Sequence, residues 1–232
     1  MTLNSRFQNS CATFLNDFSC FEMLTEEEKF EIEANTIEIL YKKGENICKQ
    51  GSFASYIIYL EDGLVKSYIE GSPRDLILTI TPSKRFVGLP SIFEGNSTFL
   101  YSVSSYVDSK ARLIDINAFK SLLRRNAGFA SGVIDILNEN TAQGYGRFYC
   151  LIMKQSHGRL ADILLCLSQR IFKNKTFDLP LSRYDLAELS GMSTENVIRI
   201  LKDFKDDKLI QMSGKSMQIL DFERLQKITN FG

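Results

Sequence analysis

The 232-residue chain carries 28 Lys/Arg and 28 Asp/Glu, so its formal net charge is zero. That balance sets up no overall field toward nucleic acid or an anionic membrane, and any such binding must come from a local patch. The strongest apolar runs, such as Tyr56-Ile57-Ile58-Tyr59-Leu60, fall far short of the roughly 20 residues that span a bilayer, which excludes a membrane-spanning helix.

Met1 to Phe18 contains no apolar run fit for an export signal. The five cysteines, Cys11, Cys20, Cys48, Cys150 and Cys166, are odd in number and form no CxxC pair. Free thiols in a reducing, cytoplasmic setting are the expectation. Thr25-Glu26-Glu27-Glu28 predicts a capping box at the start of a first helix. From Thr36 to about Ile116 short apolar or alternating runs recur, separated by turn signals such as Lys43-Gly44-Glu45, Gln50-Gly51-Ser52 and Glu61-Asp62-Gly63. Strands punctuated this often predict a sandwich or barrel. Asn117 is expected to cap a short helix through Leu123, and a longer helix is expected from about Asn126 to Lys154.

The long helix carries a stripe at Ile134, Leu137, Thr141, Gly144, Phe148 and Leu151, a heptad spacing suited to pairing with a second copy. Packing on its own β domain is the alternative. A helix of about 28 residues spans roughly 42 Å, longer than one small β domain covers, so the dimer seam is preferred. Ser156-His157-Gly158 interrupts this pattern and begins a second region.

In that region Ser182 is placed to cap a helix over Arg183–Ser190, Gly191 supplies a sharp turn, and Ser193 caps a second helix from Thr194 to about Lys205. Val197, Ile200, Leu201 and Phe204 form its inner stripe, leaving Thr194, Glu195, Asn196, Arg199 and Lys202 outward. Two short helices joined this tightly, the second with a polar and basic face, suit insertion into the major groove. Leu209 to Met212 and Ser216 to Ile219 then read as a hairpin wing with Lys215 at its tip, in reach of phosphate. Glu195 and Arg199, at i and i+4, either form a solvated helix pair or read bases; the motif favours base reading.

The order of parts resembles the Crp/Fnr family of bacterial transcription regulators. The residues that carry the resemblance are Lys43-Gly44-Glu45, Gly51 and Tyr56 to Val65 in the roll. Gly158-Arg159-Leu160-Ala161 and Leu186-Ala187 through Ser193-Thr194-Glu195-Asn196-Val197-Ile198-Arg199-Ile200-Leu201 carry it further on. The resemblance implies an α+β chain. Residues 1–125 would form a double-stranded β-helix (jelly-roll or cupin-like) effector-sensing domain, 126–156 a dimerisation helix, and 157–232 a winged helix-turn-helix. It also implies a homodimer on a near-palindromic operator, an unidentified small-molecule effector, RNA polymerase as partner of an activator, and no enzyme activity or metal site. By the same resemblance Glu195 and Arg199 hold the family's base-reading positions.

The effector region departs from the cAMP-binding members. Gly88-Leu89-Pro90 stands where they carry Gly-Glu-Leu, and Phe99-Leu100-Tyr101 where they carry Arg-Ser-Ala. Gly144 and Tyr145 stand where two polar residues meet adenine. Phe86, Gly88, Leu89, Phe99, Leu100 and Tyr145 are the candidate effector residues, and cAMP is not the expected ligand unless Arg85 or Arg112 takes over the anion. The four-cysteine iron–sulfur site of Fnr-like members is matched by Cys11 and Cys20 alone, with Phe14 and Ile114 at the other positions, which argues against a cluster. The cofactor is therefore left unassigned, with haem open through Met and Cys ligands. The alternative function is a ligand or protein interaction module whose helical tail docks protein rather than DNA.

Overall fold

A computed structural model describes residues 20–72, 74–93 and 95–231. The described chain divides into two compact units, one of residues 20–70 with 80–141 and one of residues 71–79 with 142–231. Cys11 and Phe14, two of the four cluster positions, lie outside the described residues.

The first unit opens with helix α1 (Glu26–Ala34), capped as expected: the Thr25 hydroxyl accepts from the Glu28 N–H while the Glu28 carboxylate accepts from the Thr25 N–H. Eight strands follow along the chain, of which β5 begins in residues 71–79 of the second unit: β1 (Thr36–Tyr41), β2 (Asn46–Cys48), β3 (Tyr56–Asp62), β4 (Leu64–Ile69), β5 (Leu76–Pro82), β6 (Arg85–Val87), β7 (Ser102–Ser105) and β8 (Ser109–Asp115). They form two four-stranded sheets, ordered β1-β8-β3-β6 and β2-β7-β4-β5, in which β1–β8, β3–β8, β3–β6, β2–β7 and β4–β7 pair antiparallel.

The apolar run in β3 does not alternate because both faces of the strand are buried. Ile57, Ile58, Tyr59 and Leu60 are all inside. Tyr59 lies opposite Phe86 of β6, their rings 5.1 Å apart, and Phe21 stands edge-on to Tyr59 at 5.0 Å. Phe86 in turn meets Phe119, and Phe119 meets Phe129. These rings cover one face of the sheet while neighbouring side chains of β3 point to the other.

Helix α2 (Ile116–Arg125) differs from expectation at its start. Its cap is Asp115, whose carboxylate accepts from the backbone N–H of Asn117 at 2.8 Å and of Ala118 at 2.9 Å. Asn117 is already helical, and the helix continues past Leu123 to Arg125. The long helix α3 runs Ala127–Met153, within a residue of the expected bounds.

The second unit contains helix α4 (Ser156–Cys166) with a π turn at Leu167–Ile171, strand β9 (Thr176–Asp178), helices α5 (Arg183–Ser190) and α6 (Thr194–Asp206), strands β10 (Ile210–Ser213) and β11 (Ser216–Ile219), and helix α7 (Phe222–Phe231). The strands pair in the order β10-β11-β9. A buried ion pair ties the residue that follows α3 to α4, with Lys154 Nζ 3.2 Å from Asp162 Oδ1. The Cys150 thiol donates to the other oxygen of Asp162 at 3.4 Å. Among the described residues no helix is long and apolar enough to cross a membrane.

Candidate nucleic-acid interface

Each end of α5 and the start of α6 is fixed by a side chain or turn visible in the sequence. The Ser182 hydroxyl accepts from the Asp185 N–H at 3.0 Å, and the Asp185 carboxylate accepts from the Ser182 N–H at 2.8 Å. At the other end Gly191 takes φ 62° and ψ 38°, and its N–H bonds the Ala187 carbonyl. A Cβ there would add the steric cost of the left-handed region and would sit 3.3 Å from Leu151 Cδ2. Ser193 then caps α6 by accepting from the Asn196 N–H at 3.2 Å.

Two arginines outside the motif hold this turn. The buried Arg147 guanidinium donates to the carbonyls of Leu189 and Ile77, and Arg74 donates to the Met192 carbonyl. Helix C-termini leave carbonyls without intrahelical partners, and a guanidinium there is a strong substitute. Neither arginine was marked by the sequence, because the contact joins segments far apart in the chain.

Helix α6 buries Val197, Ile200, Leu201 and Phe204. Glu195, Arg199 and Lys202 are exposed, and Thr194 and Asn196 are half-buried. Arg199 donates to the Asn196 side-chain oxygen at 2.6 Å, so it is oriented by Asn196 and makes no ion pair with Glu195. The Glu195 carboxyl is held below its ordinary value, first by its own backbone N–H and then by the Ser193 hydroxyl, so it stays an acceptor at neutral pH. Exposed Ile198 is the one large apolar side chain outside the inner stripe, a position the sequence reading did not single out. The wing pairs Ser213 with Ser216 and turns through Gly214 and Lys215, with Lys215 exposed. His157 lies 3.2 Å from the Asp203 carboxylate and edge-on to Phe204, which gives the lone histidine a structural account.

In the β roll, Gly88 takes φ 90° and opens the short 3-10 turn Leu89–Ile92. The Phe99 ring stands 3.2 Å from the point a Gly88 Cβ would occupy, and Phe99 is only 2 % exposed. The Gly88 N–H already donates to the Tyr101 phenol at 3.1 Å. Burial pushes that phenol up to about 12. An aromatic ring thus fills the place beside Gly88, and a backbone donor that an anion would need is engaged. Arg112 is paired with Glu33. Phe86 belongs to the aromatic core, and Leu89 is buried with it. Leu100 and Tyr145 are exposed.

The Cys20 and Cys48 thiols are buried and pushed up to about 12 by desolvation, which suits neutral core groups rather than cluster ligands. Among the described residues no group of three or more His, Cys, Asp and Glu is placed to hold a metal ion. With Ile114 buried in the core at the fourth position, the donor set does not fit a four-cysteine cluster.

On α3, Ile134, Thr141, Gly144 and Phe148 are exposed, and a Cβ on Gly144 would meet only open space. Leu137 packs partly on the β-roll core and Leu151 against Gly191, so these two members of the stripe are half-buried within the chain. Tyr145, Ile152 and Met153 extend the exposed apolar face.

Comparison with known proteins follows the same division. Residues 38–126 match the cyclic nucleotide-binding domain, and residues 158–228 match the Crp-like helix-turn-helix domain. The chain is 25% identical over 194 residues to the transcriptional activator protein FnrA of Stutzerimonas stutzeri, covering 78% of this chain and 75% of that protein. It is 27% identical over 195 residues to the CRP-like cAMP-activated global transcriptional regulator of Mycobacterium tuberculosis, covering 81% and 85%. Its fold is similar to that of FixK2 from Bradyrhizobium japonicum, with a TM-score of 0.76 at 20% identity over 83% of this chain and 96% of that one.

Proposed function

This chain belongs to the Crp/Fnr family of DNA-binding transcription regulators, and on that premise we propose that it acts as a homodimer on a near-palindromic operator, governed by a small effector other than cAMP. The observation that carries the DNA reading is the outward face of α6. Glu195 and Arg199 stand exposed and unpaired with each other on a helix whose start, turn and inner stripe are all fixed. Arginine matches guanine O6 and N7, and glutamate accepts from cytosine N4. Thr194, Asn196 and Lys202 flank them, Ser182 and Ser193 lie exposed at the helix starts, and Lys215 supplies a phosphate contact from the wing.

The homodimer rests on the exposed stripe of α3. Two-fold pairing would place two recognition helices about one DNA turn, roughly 34 Å, apart. The exclusion of cAMP rests on Phe99 beside Gly88, where a cyclic phosphate would require a cation and free donors. The effector is a small molecule of the roll, met in the cytoplasm, and an activating role would bring RNA polymerase as a further partner.

Selection from a pool of randomised duplexes tests this reading. An inverted repeat should be enriched, with half-sites one turn apart, and should bind at least a hundredfold tighter than random DNA at ~150 mM salt. Equal affinity for every duplex would overturn it.

A further inference from the structure

The last carbonyls of α5 must find donors outside the regular helix ladder, and they find them in two different ways. Some are served locally. The buried Ser190 hydroxyl donates to the Leu186 carbonyl at 2.6 Å, and the Gly191 and Met192 N–H groups bond the Ala187 carbonyl. The carbonyls of Leu189 and Met192 are instead held by side chains far away in sequence, Arg147, 42 residues earlier, and Arg74, 118 residues earlier. Arg147 does more than close a helix end. Its Nη2 has a hydrogen for each of two acceptors, and it donates to Leu189 and, at 2.8 Å, to the Ile77 carbonyl of β5. One buried nitrogen thus joins α3, β5 and the end of α5.

The two bonds flank the turn. Leu189 lies before Gly191 and Met192 after it, while Arg74 and Ile77 sit close together on one segment, Arg74 to Thr79. The angle between α5 and α6 at Gly191 cannot open without breaking one of these charge-assisted bonds. Neither arginine belongs to the outward face of α6, and Glu195, Arg199 and Lys202 stand exposed with both bonds made. Resting on the DNA reading of α6, we propose that Arg147 and Arg74 are positioning residues for operator recognition. The segment from Arg74 to Thr79 is then a strap across the helix turn, through which DNA at α6 is felt in β5. The strap presets the turn and so removes part of the ordering cost of docking. Coupling of this kind is reciprocal, so DNA that holds α6 also holds the strap. From Ile80 on, β5 belongs to the first unit, where it lies next to β4 in its sheet.

The test uses the full-length protein and the operator obtained by selection. Amide hydrogen exchange is followed by mass spectrometry with and without operator. In the native protein the operator should slow exchange from Arg74 to Thr79 by about threefold to tenfold. Arg74→Ala changes an exposed position and should keep the fold. It should bind the operator about threefold to tenfold more weakly with an unchanged salt slope, and operator should no longer slow exchange in the strap. Arg147→Met should weaken binding further, and Arg147→Lys, which keeps a cationic donor, should recover part of that loss. If Arg147→Met does not fold, Arg74→Ala decides alone. Exchange in the strap that ignores the operator would overturn the assignment, as would native affinity in Arg74→Ala. A salt slope lower by about one in Arg74→Ala would make that residue a phosphate contact and overturn it as well. Each of these results leaves the DNA reading standing. Enrichment of no sequence at all would overturn the DNA reading, and the assignment with it.

Discussion

Arg199 is held at its Asn196 neighbour rather than at Glu195, and this separates two roles that the i, i+4 spacing left together. A solvated Glu–Arg pair would leave both groups occupied, whereas here the guanidinium is pre-set by a neutral amide and the carboxylate by helix N-terminal donors. Arg199→Ala should therefore cost about 1–3 kcal/mol at the operator and relax preference at one base pair per half-site. Lys215→Ala should instead weaken binding evenly across sequences and lower the salt slope by about one. Anisotropy titrations on operator and random DNA at several salt concentrations separate the two. Equal losses on both DNAs for Arg199→Ala would reduce it to a phosphate contact. Phe99 leads to a second expectation. Its ring stands beside Gly88, and the Gly88 N–H is bonded to Tyr101. Loss of one charged partner of a buried anion typically costs about 2–5 kcal/mol. Calorimetric titration with cAMP should show no saturable binding at micromolar concentration; saturation there, with a gain in operator affinity, would refute the exclusion.

Helices and strands were legible in the sequence where local chemistry alone sets them. Thr25, Ser182 and Ser193 cap the helices they were expected to cap, because a hydroxyl bonding a backbone N–H three residues on needs nothing distant. At α2 the expected cap, Asn117, is replaced by Asp115, because β8 ends there and delivers its carboxylate to the first free N–H groups. The pairing of β9 with β11 and the existence of α7 depend on contacts across the second unit, and α7 was not anticipated. The clamp of Arg147 and Arg74 on the helix-turn-helix was hidden for the same reason. The heptad stripe of α3 was legible as a spacing, but not the inward lean of Leu137 and Leu151. The junction of α3 and α4 gives a further prediction. The Lys154–Asp162 pair is buried on both sides, and the Cys150 thiol also bonds Asp162. Asp162→Ala leaves an ammonium without its carboxylate and should cost roughly 3–5 kcal/mol, read from urea unfolding. Joint replacement of Lys154 by Met and Asp162 by Leu should recover most of that loss. A small effect from Asp162→Ala would mean that Lys154 reaches water.

Association of two chains asks more of α3 than any contact within one. Ile134 is 56 % and Phe148 66 % exposed, and Tyr145 and Ile152 stand exposed along the same helix. Fully burying a side chain of this kind contributes about 1.5–3 kcal/mol, and two-fold symmetry counts each contribution twice. Four such side chains per protomer therefore reach the range needed to offset the roughly 4–15 kcal/mol cost of lost rigid-body freedom. Gly144 lies on this face with open space above its Cα, so the helix backbones can approach closely there. Leu137 and Leu151, already half-buried in their own chain, have less to add. Ile134→Glu combined with Phe148→Glu should give monomers at micromolar concentration in analytical ultracentrifugation, because symmetry brings like charges together at the seam. Helical content should be unchanged, since both positions face solvent in the single chain. Operator affinity should fall toward that of one half-site, and Phe148→Leu should leave both dimer and affinity nearly intact. A native protein that sediments as a monomer even on operator DNA would remove the seam from the account, and so would a doubly charged variant that remains a dimer.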